Sequence, residues 1–159
     1  MIRLFAMDVD GTLTDGGVYI SSEGSESKRF DIQDGMGITR FRRAGGKIAL
    51  ISGRYSAATE RRAKELKIDI VVNGVGEKLP VLKKIAEELG LTPDEVAYAG
   101  DDVNDIDCAK WAGFGAAVAN AVTELKTVAD YVTQRRGGDG AVREITDILL
   151  IRNAKEKTL

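Results

Sequence analysis

The sequence predicts an α/β fold in which a parallel β-sheet carries helices on both of its faces. The chain has 159 residues, enough for one domain with a single buried core. Hydrophobic residues make up 43% of the chain and charged residues 30%, which is the balance of a globular protein. Short β-branched runs alternate with helical patterns along the chain. This alternation favours right-handed strand–helix–strand units and therefore a parallel sheet.

Six short apolar runs are predicted as buried strands because each ends at a residue typical of turns. They span residues 2–8, 47–52, 68–73, 96–100, 114–118 and 131–133. The spacing of apolar residues predicts helices over 57–66, 78–89 and 105–111, and Pro80 is tolerated in the first turn of the second one. This order of elements is typical of a Rossmann-like sheet, whose ligands bind beyond the carboxyl ends of the strands.

Two segments depart from the alternation. Residues 16–30 contain two extended pieces around a centre of Ser, Gly and Glu, which predicts a β-hairpin flap standing off the sheet after the first strand. A glycine-rich tail begins at about Gly137, and residues 153–159 are predicted to be a frayed helix end. We interpret residues 1–159 as one domain with these two additions.

The composition excludes several kinds of chemistry. There is no His and only one Cys, Cys108, so Ser-His-Asp triads, imidazole metal sites, multi-thiolate zinc sites and internal disulfides are excluded. The net charge of −2 gives no general attraction to nucleic acid or to an acidic membrane. The sequence also lacks a signal-peptide core and a membrane-length apolar run. We therefore expect a cytoplasmic protein that binds neither nucleic acid nor a membrane.

The end of the first predicted strand carries two acidic side chains. Asp8 and Asp10 are two residues apart, a spacing that places them on the same side of an extended chain. Gly11 and Thr12 then begin a tight turn whose amides are suited to phosphate oxygens. A solvated acidic turn is the alternative interpretation.

A second acidic group follows the strand predicted over 96–100. Asp101 and Asp102 bring further carboxylates to the same edge of the sheet. Such crowding calls for a cation, and Mg²⁺ fits because it prefers oxygen ligands and this chain has no His or paired thiolates. Taken alone, this segment is equally typical of a helix N-cap.

Two other strand ends add groups suited to phosphate. Ser52 and Gly53 follow the second main strand, where a hydroxyl and adjacent amides would face the same crevice. Lys78 opens a helix, a position that is unfavourable for a cation in the helix dipole, so a structural motive is weak and a role in neutralising phosphate is an open interpretation.

These four motifs, in this order, resemble the haloacid dehalogenase-like phosphohydrolase superfamily. The resemblance implies that Asp8 is the nucleophile, Asp10 the general acid/base, Ser52 the phosphate-binding hydroxyl and Lys78 the neutralising lysine. It also implies an aspartyl-phosphate intermediate and a Mg²⁺ ion held by the Asp8 side chain, the Asp10 main-chain carbonyl and the Asp101 side chain, with Asp102 orienting Lys78. The segments between the motifs are too short for a cap domain, so we expect an open site that is closed by a large substrate or by a neighbouring subunit.

More specifically, residues 8–16, 30–38, 51–54 and 137–144 resemble the 3-deoxy-D-manno-octulosonate 8-phosphate phosphatases. That family implies a small sugar-acid phosphate as substrate, a product used in lipopolysaccharide synthesis, and a homotetramer whose glycine-rich tail reaches a neighbouring active site. By position it implies substrate contacts at Asp10, Asp31, Ile32, Gln33, Asp34, Gly35, Arg54, Arg62 and Lys78.

The two arginines are predicted to bind the substrate carboxylate. Their eight-residue separation would place Arg54 and Arg62 about two turns apart on a related helix face, with solvated helix arginines as the alternative. Related enzymes for nine-carbon keto-sugar phosphates tend to carry Glu at the Arg54 position, so Arg54 favours the eight-carbon acid. At three positions the sequence departs from residues common in that family: Asn73 stands in place of a Gln, Ile145 in place of a Cys and Thr39 in place of a basic residue. Arg40 is next to Thr39 but out of register with it. The resemblance therefore indicates the reaction more firmly than the substrate.

Two other classes of function compete with a phosphatase. A non-catalytic regulatory or assembly domain is disfavoured because a scaffold has no need for mutually repelling carboxylates. A phosphoacceptor receiver domain is disfavoured because its acceptor Asp normally follows the third strand, whereas Asp8 and Asp10 follow the first.

Overall fold

The computed structural model describes residues 1–68 and 70–158, and it confirms the predicted α/β fold class. Six parallel strands form one sheet in the order β5-β4-β1-β6-β7-β8, and β2 and β3 form a separate antiparallel hairpin. The strands are β1 Leu4–Met7, β2 Tyr19–Ile20, β3 Glu26–Ser27, β4 Lys47–Ser52, β5 Ile70–Asn73, β6 Val96–Gly100, β7 Phe114–Ala117 and β8 Tyr131–Val132. The helices are α1 Ile32–Arg43, α2 Ala57–Glu65, α3 Lys78–Glu88, α4 Ile106–Trp111, α5 Thr123–Val128 and α6 Ala141–Lys157.

The sheet is buried on both faces, which explains why its strands read as continuous apolar runs. On one face, Phe5 and Met7 of β1 pack in a cluster that includes residues of α1, α2 and α6. On the other face, Leu4 and Ala6 pack in a cluster with α3, α4 and α5. Every β1 side chain is therefore buried, and the strand fixes the centre of the molecule.

The predicted element ends need small corrections. The first strand begins at Leu4 rather than residue 2, and the helix predicted from residue 105 begins at Ile106 after a 3-10 turn over Val103–Asp105. The strand predicted over 68–73 includes residue 69, which lies outside the described residues; its part in the sheet is Ile70–Asn73. The hairpin flap predicted within 16–30 is confirmed.

The prediction that residues 153–159 form a frayed end is wrong as far as Lys157, because α6 continues to that residue. The Asn153 side chain accepts a hydrogen bond from the Ile2 amide at 2.8 Å and donates one to the Ile2 carbonyl at 2.7 Å. These two bonds hold the end of the helix against the start of the chain. Among the described residues, no helix is both long and apolar enough to cross a membrane.

Candidate active site

The carboxyl ends of β1, β4 and β6 meet at one edge of the sheet and surround an open cavity of about 430 Å³. Parallel strands place their ends side by side, so residues far apart in sequence converge there. The cavity is lined by Asp8, Asp10, Gly16, Gly53, Arg54, Val75, Gly76, Asp101, Asp102 and Asn104.

Asp8 forms the floor of this cavity and is 5% exposed. The Lys78 ammonium donates a hydrogen bond to its Oδ1 at 2.7 Å, and the Thr12 hydroxyl lies 3.4 Å from its Oδ2. Burial, reinforced by the nearby Asp105 carboxylate, raises the pKa of Asp8 to about 6, although Lys78 opposes the rise. At neutral pH the group is a desolvated carboxylate facing the cavity.

Lys78, the first residue of α3, is a buried cation held by two carboxylates. Its Nζ lies 2.7 Å from Asp8 Oδ1 and 2.8 Å from Asp105 Oδ1. Burial by itself lowers the pKa of a lysine, but the charges of Asp8 and Asp105 outweigh it and raise the pKa of Lys78. The ammonium therefore stays charged beside the Asp8 carboxylate.

Asp105 is a buried site residue that sequence reasoning missed. It is fully buried, and its Oδ1 accepts hydrogen bonds from Lys78 and from the Tyr98 hydroxyl at 2.6 Å. Its Oδ2 accepts from the amides of Asp101 and Asp102 at 3.0 and 3.2 Å. One carboxylate thus fixes both the lysine and the loop that follows β6. The sequence position of Asp105 could have indicated this role. It is the last residue of the turn after β6, and an acidic side chain there can accept hydrogen bonds from the amides at the start of the turn.

The prediction that Asp102 orients Lys78 is wrong. Asp102 is exposed at the cavity rim, and its Oδ1 accepts a hydrogen bond from the Val103 amide at 2.7 Å, so it caps the turn. Asp102 faces solvent because the chain turns between residues 102 and 105. The same turn brings Asp105, and not Asp102, beneath the loop and next to Lys78.

Asp8 and Asp101 form an acidic pair that fits a hard cation. Carboxylate oxygens of Asp8, Asp101 and Asp105 lie within 4.8 Å of one another, but both oxygens of Asp105 are already hydrogen bonded. Burial and the contact with Asp8 raise the pKa of Asp101 to about 9, because two adjacent carboxylates repel each other when nothing neutralises them. Gly11 has a φ of +85°, and any side chain there would overlap Asp101. An all-oxygen donor set with this demand for positive charge fits Mg²⁺.

Asp10 has a different environment from Asp8. Its side chain is 28% exposed and lines the cavity, and its Oδ1 lies 2.6 Å from the ammonium of Lys28, a residue just after β3. The hairpin therefore reaches the site through Lys28.

Ser52 and Arg54 lie at the end of β4, as predicted, but they make unforeseen contacts. The Ser52 hydroxyl is buried and donates to the Arg54 carbonyl at 2.7 Å. The Arg54 guanidinium lines the cavity and donates to both oxygens of Glu26 on β3, at 2.8 and 2.5 Å. Arg54 precedes α2, so the expectation that it shares a helix face with Arg62 is wrong: the chain is not helical until Ala57.

The remaining predicted substrate contacts lie in and around the start of α1, and none of them is among the described residues that line this cavity. Asp31 caps α1 and accepts from the Gln33 amide, Gln33 also accepts from Arg135, and Ile32 is 84% exposed. Asp34 is buried and accepts from the Arg143 amide at 2.9 Å. The structure does not bring this segment together with Asp8.

Arg62 lies under the hairpin base rather than beside Arg54. Its guanidinium stacks over the Phe30 ring, 5.7 Å from the centroid, and a side chain at Gly35 would come within 2.8 Å of it. Its Nη1 also lies 3.3 Å from Glu65.

The glycine-rich segment packs on its own chain. Gly138 donates its amide to the Thr12 carbonyl at 3.3 Å, and Gly137 lies so close to the Gly11 carbonyl that a side chain would overlap it. Residues from Ala141 onward form α6, whose Val142, Ile145 and Leu149 are buried in the core. Within this chain the glycine-rich segment from about 137 is therefore a turn that supports the loop after β1 and leads into α6.

Sequence comparison finds similar proteins over almost the whole chain. A model of the haloacid dehalogenase-like hydrolases matches residues 67–145. The 3-deoxy-D-manno-octulosonate 8-phosphate phosphatase of Escherichia coli K12 is 40% identical over 154 residues, which is 97% of this chain and 82% of that protein. The Yersinia pestis protein of the same name is 38% identical over the same shares of the two chains.

Solved structures agree with these sequence matches. The Moraxella catarrhalis 3-deoxy-D-manno-octulosonate 8-phosphate phosphatase, in complex with magnesium ion, phosphate ion and KDO, is 44% identical with a TM-score of 0.92, over 94% of this chain and 86% of that one. The cobalt-bound phosphatase of Haemophilus influenzae is 36% identical with a TM-score of 0.90, over 94% of this chain and 87% of that one.

Proposed function

This chain belongs to the 3-deoxy-D-manno-octulosonate 8-phosphate phosphatase family of haloacid dehalogenase-like hydrolases, and on that premise we propose that 3-deoxy-D-manno-octulosonate 8-phosphate is its substrate. The chain is a phosphoric monoester hydrolase. The observation that carries the proposal is the desolvated Asp8 carboxylate, held 2.7 Å from the Lys78 ammonium at the floor of an open cavity.

In the first step we assign Asp8 as the nucleophile. Its carboxylate oxygen forms a bond to phosphorus as the bond from phosphorus to the sugar oxygen breaks, and Asp10 gives its proton to the departing alkoxide. Lys78 offsets the negative charge on the transferring group. The product on the enzyme is a phosphorylated Asp8.

In the second step Asp10, now a carboxylate, takes a proton from a water molecule whose oxygen bonds to phosphorus. The acyl-phosphate bond breaks, inorganic phosphate leaves, and Asp8 returns as a carboxylate. Mg²⁺ is the cofactor; the side chains of Asp8 and Asp101 and the main-chain carbonyl of Asp10 would hold it, and when bound it supplies positive charge to the phosphoryl oxygens.

Arg54 supports a substrate that carries a carboxylate. Its guanidinium lines the cavity and already holds one carboxylate, that of Glu26, in the two-point geometry that suits a sugar acid. The Ser52 hydroxyl and adjacent amides are assigned to the phosphate. For Asp31–Gly35 and Arg62, which lie outside the cavity, contact with substrate remains a prediction from family position alone.

The assembly, compartment and pathway are also proposals. The described residues form no cap over the open cavity, and Val18, Tyr19 and Ile20 on or next to the hairpin are exposed. Both features support a homotetramer in which a neighbouring subunit walls the site. Arg136 and Asp139, in and next to the glycine-rich segment, are exposed and could contact such a neighbouring subunit. We place the enzyme in the cytoplasm, in lipopolysaccharide precursor synthesis.

A phosphate-release panel tests the function. The purified protein is assayed against 3-deoxy-D-manno-octulosonate 8-phosphate, a nine-carbon keto-sugar phosphate, a hexose phosphate and an aryl phosphate, each with Mg²⁺ and with EDTA. We expect the highest kcat/KM for the eight-carbon acid and loss of all activity with EDTA, restored by added Mg²⁺. A preference for the nine-carbon substrate would replace the substrate proposal, and no release from any substrate would support a non-catalytic domain.

A further inference from the structure

Lys28 connects the β-hairpin to Asp10, and it lies outside the motifs that identify the family. Its side chain is fully buried, although it belongs to a segment that stands off the sheet. Its Nζ lies 2.6 Å from Asp10 Oδ1 and 3.6 Å from Glu26 Oε1. Burying an ammonium costs free energy unless carboxylates compensate for the lost water contacts. The ion pairs with Asp10 and Glu26 therefore stabilise Lys28 in this position.

The backbone fixes Lys28 from both sides. Before it, β3 pairs with β2, with Tyr19 opposite Ser27. After it, Phe30 pairs with Thr14 in an isolated antiparallel bridge on the loop that follows β1. Because alternate residues of an extended chain share a face, Glu26 and Lys28 both point toward the cavity edge. The hairpin therefore places the Lys28 ammonium against one carboxylate oxygen of Asp10.

We propose that Lys28 is a positioning residue that holds the Asp10 carboxylate in the orientation needed for proton transfer. This inference rests on the phosphatase activity proposed above. Asp10 is partly exposed, with its side chain 28% accessible, and the ion pair with Lys28 fixes the direction of its carboxylate. Lys28 occupies one oxygen and leaves the other for the leaving group in the first step and for water in the second. The contact that links Lys28 to the reacting groups is the one with Asp10, so we assign its effect to Asp10 and not to substrate.

The second step depends on this orientation most strongly. An aryl phosphate such as p-nitrophenyl phosphate has a leaving group that departs without a proton, so its first step does not need Asp10. Hydrolysis of the phosphorylated Asp8 always needs Asp10 as the base. Loss of Lys28 should therefore leave the first step fast with this substrate and make the second step slow.

The test is Lys28→Met, which keeps the length of the side chain and removes its charge. With the sugar phosphate, kcat should fall at least tenfold while KM does not rise, since a slower second step lowers KM together with kcat and Lys28 is not proposed to bind substrate. With p-nitrophenyl phosphate in rapid-mixing experiments, the variant should release a burst of p-nitrophenolate larger than that of the wild type, approaching one per active site, before a slow steady state. Unchanged kcat, a rise in KM alone, or a fall in kcat without a larger burst would each overturn the inference.

Two control variants in the hairpin test whether Lys28 orients Asp10 itself or whether the hairpin only supports the site mechanically. Glu23→Gln removes a charge from an exposed position of the hairpin turn. Ser25→Ala removes the contact between the Ser21 and Ser25 hydroxyls, 2.7 Å apart, and so loosens the hairpin tip without touching Lys28. Neither should enlarge the burst. If Ser25→Ala reproduces the Lys28→Met burst, the hairpin is only a brace and the positioning role is wrong.

The wild type and Asp8→Asn, measured in parallel, distinguish the two levels of failure. If the wild type releases no phosphate, or if Asp8→Asn turns over at the wild-type rate, the proposed function fails. If both behave as expected and only Lys28→Met does not, the function stands and the Lys28 inference alone is wrong.

Discussion

Asp8 and Asp10 are two residues apart, yet one belongs to the floor of the site and the other to its wall. The floor is buried, and Lys78 and Asp105 join α3, β6 and the loop after β6 in one network of short contacts. The wall combines Asp10 with a hairpin of two strands with two residues each. Ion pairs of Lys28 with Asp10 and of Glu26 with Arg54 attach this hairpin to the site. The comparison teaches that the proposed nucleophile is held by the fold core, whereas the proposed proton donor Asp10 and the proposed carboxylate binder Arg54 are held by a peripheral hairpin.

The largest effect is expected on the floor, from Asp8→Asn. The amide keeps the shape of the carboxylate but cannot form the phosphoaspartate, so kcat should fall by roughly a thousandfold or more, about 4 kcal/mol in the barrier. The melting temperature should change little because Asp105 still pairs with Lys78. Steady-state phosphate release and calorimetry measure both, with Asp107→Asn on the exposed face of α4 as the matched control. Activity within tenfold of the wild type would remove Asp8 from its role.

The second effect compares two acids in the loop after β6. Asp105→Asn should lower kcat by about 10- to 100-fold, because it loosens Lys78 and the loop that carries Asp101. It should also lower the melting temperature, since a buried ion pair loses one partner. Asp102→Asn should change kcat by less than about threefold, because Asp102 only caps an exposed turn. A larger loss from Asp102→Asn than from Asp105→Asn would contradict the structural assignment.

A smaller effect is expected at the wall, from Glu26→Gln. The Arg54 guanidinium is held at two points by Glu26, so a substrate carboxylate must compete for the same donors. Removing that charge should lower KM for the sugar-acid phosphate a few-fold and leave KM for an aryl phosphate unchanged. Kinetics with both substrates measure the difference. A rise in KM for the sugar acid alone would show instead that Glu26 holds Arg54 in its binding position.

The smallest effect on activity is expected from Asp34→Asn, which acts on stability. Burial raises the pKa of Asp34 from 3.8 to about 6, and its Oδ2 has no hydrogen-bond partner among the described residues. Between pH 4 and 6 the folded state therefore binds more protons than the unfolded state, so this group makes the protein less stable as the pH rises. Its contribution above pH 6 is at most about 3 kcal/mol of destabilisation.

The Asn variant should remove that dependence, because its carbonyl oxygen still accepts from the Arg143 amide and it carries no charge. We expect Asp34→Asn to be more stable than the wild type at pH 8 and equal to it near pH 4. Urea unfolding at both pH values measures the difference. Equal stability at pH 8 would show that the carboxylate is solvated in solution.

The six strands of the sheet, the helices α2, α3 and α4, the hairpin and the strand-end positions of Asp8, Ser52 and Asp101 were predicted from the sequence, whereas α1, α5 and α6 were not. These features are local: a β-branched run closed by a turn residue specifies a strand and its end within a few neighbours. Parallel strands then bring their ends together without further information. Composition is equally direct, because a chain without His must use carboxylates, lysine or tyrosine for proton transfer.

The partners of the site residues were decided only by the tertiary structure. Asp102 and Asp105 are both acids within one short loop, and only the turn between them determines which one reaches Lys78. The Gly137–Gly140 turn and the Lys28–Asp10 pair join segments that are far apart in sequence. Such contacts depend on the register of whole elements and on the exclusion of water when they pack. No local pattern of residue types contains that information, because the energy of a buried ion pair exists only after the surrounding surfaces have met.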